Sequence, residues 1–153
     1  MGLYSPAEVA ENYINIGTSK AHLSISKMIL LGILAGAFIG FGGVGATTAA
    51  VSISQASVGK LVGACVFPAG LAMVLLAGAE LFTGNCLMTI PLLKKRITMG
   101  QMLRNWIWVW IGNLTAGGMF LGNLLPVTLG NIVGGAICVG MVYYYCYLRD
   151  TES

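Results

Sequence analysis

Gly78-Ala79-Glu80-Leu81-Phe82-Thr83-Gly84-Asn85 lies inside an apolar run that extends from Leu61 to Leu93. A carboxylate, a hydroxyl, an amide and two glycines gather where the run should be at bilayer depth. Irregular backbone and polar side chains are costly in hydrocarbon unless they line a cavity or are buried in protein. The stretch therefore predicts a membrane helix broken near its middle, at about residues 81–85, with a shorter apolar piece resuming at 86–93. Broken helices of this kind build midplane sites in transporters and channels.

Composition agrees with a membrane setting. The chain has 153 residues, 57% hydrophobic and 8% charged, against about 25% charged in a soluble domain. No Asp, Glu, Lys or Arg lies between Lys27 and Lys60, or between Arg104 and Arg149. Each gap exceeds the ~20 residues that span a bilayer as a helix. The net charge of +3 comes from loop cations, so nucleic-acid binding has no support. The 22 glycines suit close packing between membrane helices. Cys65, Cys86, Cys138 and Cys146 form no C-x-x-C pair and read as small buried apolar residues. Neither a metal-ligand cluster nor a catalytic constellation is visible, so no metal, cofactor or enzymatic activity is expected. The first apolar run begins near Met28 after polar residues, so no cleavable leader is expected.

Three regions follow: a cytoplasmic amphipathic segment at 1–26, a transmembrane domain at 27–149, and a cytoplasmic tail at 150–153. In the first, Ser5 is a candidate N-cap, Pro6 suits the first helical position, and Glu8 completes a capping box. Val9, Tyr13 and Ile16 give a helix over about 5–19 one apolar face, to lie on the membrane surface or against a neighbouring subunit. His22 reads as a solvated interfacial residue. The first crossing is expected over about 27–52, where Gly32, Gly36 and Gly40 form two overlapping G-x-x-x-G patterns for close helix approach. The second starts near Leu61, is kinked at Pro68, and contains the break. A third runs from about 102 to 121, with Trp106, Trp108 and Trp110 as an aromatic belt. A fourth runs from about 127 to 148 and exits through Tyr143, Tyr144, Tyr145 and Tyr147. Lys94-Lys95-Arg96 and Arg104 place their loop in the cytoplasm by the positive-inside rule, and both termini follow.

Gly112-Asn113-Leu114-Thr115-Ala116-Gly117-Gly118 echoes Gly130-Asn131-Ile132-Val133-Gly134-Gly135-Ala136. Two helices of opposite direction sharing a G-N-x-x-small-Gly pattern suggest an inverted repeat. Gly112, Asn113, Gly130 and Asn131 are thus candidate helix-packing residues.

Gly78 to Asn85 resembles the omega-loop signature of the formate/nitrite transporter family. Arg104-Asn105-Trp106 followed by Gly112-Asn113 resembles that family's third helix, and Asn123 to Gly135 its last. Ser5-Pro6-Ala7-Glu8 is similar to its N-terminal surface helix. The resemblance touches nearly the whole chain. It implies an aquaporin-like all-α fold of six membrane helices in two inverted repeats. It also implies a homopentamer with a pore in each protomer, and passage of small monovalent anions such as formate, nitrite or hydrosulfide. Thr83 corresponds to the omega-loop threonine that hydrogen-bonds the anion, with Gly84 and Asn85 beside it. Phe67, Leu71 and Phe82 match positions that narrow the pore. Glu80 fits the loop's acidic position, expected to brace backbone N–H groups. The chain departs from the family in lacking its fourth and fifth helices, with the join near residues 120–124. The family's lysine and central histidine go with them, and His22 lies in the wrong segment to replace the latter. About four crossings of six remain, and little or no anion flux is expected from this chain alone.

Overall fold

The structure, a computed structural model, describes residues 3–116 and 128–149. Among these, all regular structure is helical. Helix α1 (Pro6–Ala21) starts as expected: the Ser5 hydroxyl accepts the Glu8 N–H, and the Glu8 carboxylate accepts the Ser5 N–H at 2.7 Å. The latter bond, followed by that of the Ser5 hydroxyl, holds the Glu8 carboxyl below its usual range.

Helix α1 docks on its own chain through an edge beside the apolar face expected to meet the membrane or a neighbouring subunit. Val9 and Ile16 are exposed, while Ala10, Gly17 and Ala21 form the docked edge with Tyr13 half-buried beside them. Close approach explains the choice of small residues. A Cβ built on Gly17 would stand 2.7 Å from Pro91 Cγ. Thus α1 lies against its own chain, on Ile90 and Leu148.

Helix α2 (Ile25–Ala50) is capped by the Ser24 hydroxyl, which accepts the Lys27 N–H. Helix α3 (Ala56–Leu76) consists of two pieces, with the hydrogen-bond ladder interrupted at Phe67 before Pro68, as a proline demands. After the break comes α4 (Phe82–Leu93), whose middle turn, Cys86–Met88, is 3₁₀. Helix α5 (Met99–Ala116) opens with a second capping box: the Thr98 N–H reaches Gln101 Oε1 at 2.8 Å, and the Gln101 N–H reaches Thr98 Oγ1. Helix α6 (Thr128–Leu148) is π-wound over Ile132–Met141 and Tyr144–Leu148. The i→i+5 winding brings Gly135 and Gly140 toward one face. There they pack on Cys86 and Thr89, and the Thr89 hydroxyl donates to the Ala136 carbonyl.

Helices α2, α3 and α6 are each long and apolar enough to cross a membrane. This is an all-α membrane protein. The expected third crossing, α5, is described as far as Ala116 and packs into the core against α2. Met102, Trp106 and Val109 are buried in the main core with Met28, Cys86 and Met88. Two of its tryptophans bond within the bundle. Trp106 donates its indole N–H to the Asn85 carbonyl at 2.8 Å, and Trp110 donates to Thr128 Oγ1 at 3.0 Å.

The glycine expectation holds in part. Gly32 faces Gly112, where added Cβ atoms would lie 3.0 Å from the Val109 carbonyl oxygen and 2.7 Å from that of Ile29. Gly40 touches nothing within 4 Å; the second close crossing is Gly42 on Gly70, off the expected stripe. Gly130 and Gly134 also stand open. All four cysteines are free, and only Cys86 is buried among them. His22 is exposed, as expected. The expected join near residues 120–124, the Gly117-Gly118 end of the echo, and the tail at 150–153 lie outside the described residues.

Candidate functional site

The break is real and sits earlier than the sequence suggests. Helix α3 ends at Leu76, and Gly78 takes φ +62°, the left-handed conformation that favours glycine. The Gly78 and Ala79 N–H groups turn back to the Leu75 and Val74 carbonyls. Leu81 is extended, and helix resumes at Phe82. Thr83, Gly84 and Asn85 therefore lie in the first turn after the break, not in the break itself.

Two asparagines hold this irregular backbone. Asn113 of α5 serves three main-chain groups. Its Oδ1 accepts the Phe82 N–H at 2.9 Å, and its Nδ2 donates to the Gly32 and Glu80 carbonyls at 2.8 and 2.9 Å. One carboxamide thus ties the break to α2 and α5. Asn85, fully buried, donates Nδ2 to Glu80 Oε2 and to Asn105 Oδ1, each at 2.7 Å.

Glu80 braces the loop, though through different partners from those expected. It is 4% exposed, and its carboxylate accepts Lys20 Nζ at 2.6 Å and the Asn85 carboxamide. No backbone N–H is among the donors described for that side chain. Lys20 Nζ also donates to Asn85 Oδ1 at 3.0 Å, while Asn105 Nδ2 donates to the Lys20 carbonyl. Charged groups this deep are tolerated because each has an opposite charge or a hydrogen-bond partner. Arg104 closes the corner by donating to the Ala21 and Leu23 carbonyls. Lys20 and Tyr13 are the members that sequence reasoning missed. Their partners lie 60 or more residues away, and local pattern carries no such signal.

A cavity of about 680 Å³ opens beside the break between α1, α3, α4 and α6. Leu71, Thr83, Gly84, Asn85, Gly130 and Asn131 of the candidate residues line it. Most other lining groups are apolar, such as Val74, Leu75 and Val139. Thr83 is exposed there. The remaining candidates lie elsewhere. Phe82 is buried edge-on against Trp106, with ring centroids 5.9 Å apart. Phe67 is exposed higher on α3, and Gly112 and Asn113 face α2 and the break. Tyr13 joins the cavity wall and donates its hydroxyl to the Gly84 carbonyl at 2.7 Å. Burial, followed by the nearby Glu80 carboxylate, pushes its phenol above the ordinary range, so it remains a donor at neutral pH. Among the described residues no group of His, Cys, Asp or Glu is arranged to hold a metal.

A helix bundle in which one apolar helix breaks, turns polar and restarts beside a cavity is an arrangement that builds midplane sites in membrane channels and transporters. The family model described as formate/nitrite transporter matches residues 7–122. This chain belongs to that family, which is one of transporters and not of enzymes. A probable formate transporter of Methanothermobacter thermautotrophicus is 40% identical over 131 residues, 82% of this chain and 47% of that protein. The formate channel BtFdhC of Bacillus thuringiensis is 32% identical over 146 residues, 91% and 56% respectively. The formate channel FocA of Haemophilus influenzae is 38% identical over 123 residues, 79% and 43%. The chain spans about half the length of these curated relatives. No solved structure matches it.

Proposed function

We propose that this chain provides one half of a pathway for small monovalent anions, with formate, nitrite and hydrosulfide as the candidate substrates. The observation that carries this is the exposure of Thr83 to the cavity, directly after a break that Asn113 and Glu80 hold open. An anion leaving water faces a desolvation cost of several kcal/mol or more. A pathway lowers that cost with hydrogen-bond donors between apolar constrictions. Thr83 and the first peptide groups of α4 supply donors on one side, and Leu71 supplies apolar wall. Gly84 and Asn85 shape the turn. Phe67 and Phe82 are assigned to constrictions on the family resemblance alone. The relatives' names support formate most directly.

On the family resemblance, this sequence passes from the third helix to the last without a fourth and fifth, and so without the opposing half of the site. His22, exposed at the C-terminal cap of α1, does not stand in for a central histidine. The complete arrangement is aquaporin-like and homopentameric on this reading. Its host is the cell membrane, with both termini cytoplasmic. The packing of Ala10, Ile90 and Leu148 into one cluster supports placing the N-terminus, the cationic loop after α4 and the end of α6 on the same side.

Purified chain in liposomes is expected to raise formate entry little above protein-free vesicles, because the facing half of the site is absent. Nitrite and hydrosulfide should behave the same way. Saturable flux of any of the three would contradict the incomplete-pathway reading. Zero flux would favour a non-transporting membrane subunit of the same family, for which the half-length span is the supporting observation.

A further inference from the structure

Tyr13 and Thr83 come from segments 70 positions apart yet line the same cavity. The Tyr13 hydroxyl spends its proton on the Gly84 carbonyl at 2.7 Å. That carbonyl also meets the Cys86 N–H at the end of its own turn, and a carbonyl oxygen has two lone pairs to offer. A Cβ built on Gly84 would find no atom within 4 Å, so there is open space next to the peptide. Carbonyl oxygens aimed into a pathway favour cations, since they replace a cation's hydration shell.

We infer that Tyr13 is a positioning residue that sets the charge preference of the Thr83 site, by holding the Gly84 carbonyl oxygen in a hydrogen bond so that its negative end is not offered to an ion in the cavity. The inference rests on the reading of Thr83 as the ion-facing group. Tyr13 touches the ion pathway through its effect on that carbonyl. Helix α1 does not depend on this one bond for its place, because Ala10, Gly17, Ala21 and the Lys20–Glu80 pair dock it independently.

The test reads charge preference directly and needs no flux. Thr83→Cys is placed in the full chain carrying Cys65→Ala, Cys86→Ala, Cys138→Ala and Cys146→Ala. Its modification rate is measured in nanodiscs with an anionic reagent, sulfonatoethyl methanethiosulfonate, and a cationic one, trimethylammonioethyl methanethiosulfonate. Tyr13→Phe is expected to lower the anionic-to-cationic rate ratio roughly three- to tenfold, the scale of one neutral hydrogen bond. Tyr13→Leu, which removes ring and hydroxyl, should lower it at least as far, and Val9→Ala on the exposed side of α1 should leave it unchanged. A purely structural role would move both rates together and leave the ratio intact, which would overturn the inference while sparing the Thr83 reading. A cysteine at 83 that reacts with neither reagent beside an intact Tyr13 would overturn both.

Discussion

Asn113→Ala is expected to destabilise the detergent-solubilised protein by about 3–5 kcal/mol, read as a shift in the denaturant midpoint of helix loss. Three main-chain groups lose a hydrogen bond at once; the Gly32 carbonyl keeps its partner within α2, while the Phe82 N–H and the Glu80 carbonyl sit at the break. Each buried polar group left unpaired costs roughly 1–3 kcal/mol, and water entering from the adjoining cavity should recover part of the sum. Asn113→Asp should cost at least as much. A carboxylate can accept the Phe82 N–H, but it presents oxygen to the two carbonyls. Asn131→Ala gives the contrast. It occupies the matching place in the internal echo, yet has no side-chain hydrogen bond among the described residues, so its loss should stay within about 0.5 kcal/mol. Equal effects at the two positions would show that Asn113 does not tie the break to its neighbours.

Lys20→Met is expected to cost about 2–4 kcal/mol. Removing one partner of a buried ion pair leaves the other charge uncompensated, at roughly 3–5 kcal/mol when both are deep. Here Glu80 is nearly sealed while the Lys20 side chain keeps 20% of its exposure, so the figure is reduced. Lys20→Met combined with Glu80→Gln should recover most of the loss, because the glutamine still has Asn85 as a partner and carries no charge. The double-mutant cycle measures the coupling. A coupling energy near zero would mean that α1 and the loop are held together by packing alone.

How much of this was legible follows the range of each interaction. The break could be read from Gly78, Glu80 and Asn85 because polar groups inside an apolar run have few explanations. Its position was misjudged because Thr83-Gly84-Asn85 looks irregular by composition but fits a helical first turn once Asn113 accepts the Phe82 N–H. The Ser5 capping box was read correctly. The equivalent Thr98–Gln101 box was equally available, and it would have moved the start of α5 from about residue 102 to Met99. The tryptophans were read for anchoring alone, since alternate spacing on a helix does not show which of them turns inward. An indole bonded to the Asn85 carbonyl depends on a fold-level approach. The large apolar side chains of α1 marked one face, but the edge that docks on Pro91 is made of Gly17 and alanines, which carry no apolar pattern. The Lys20–Glu80 pair and the Tyr13–Gly84 bond lie beyond any local pattern. So does the π winding of α6, along which Gly135 and Gly140 pack on Cys86 and Thr89.

Backbone chemical shifts and φ angles for residues 74–88 in lipid nanodiscs go straight to the point on which the site depends. Helical values should end at Leu76, Gly78 should show positive φ, Leu81 should be extended, and helical values should return at Phe82. Uninterrupted helical shifts from residue 74 through 85 would contradict the account, since Thr83 would then have no break to place it against the cavity.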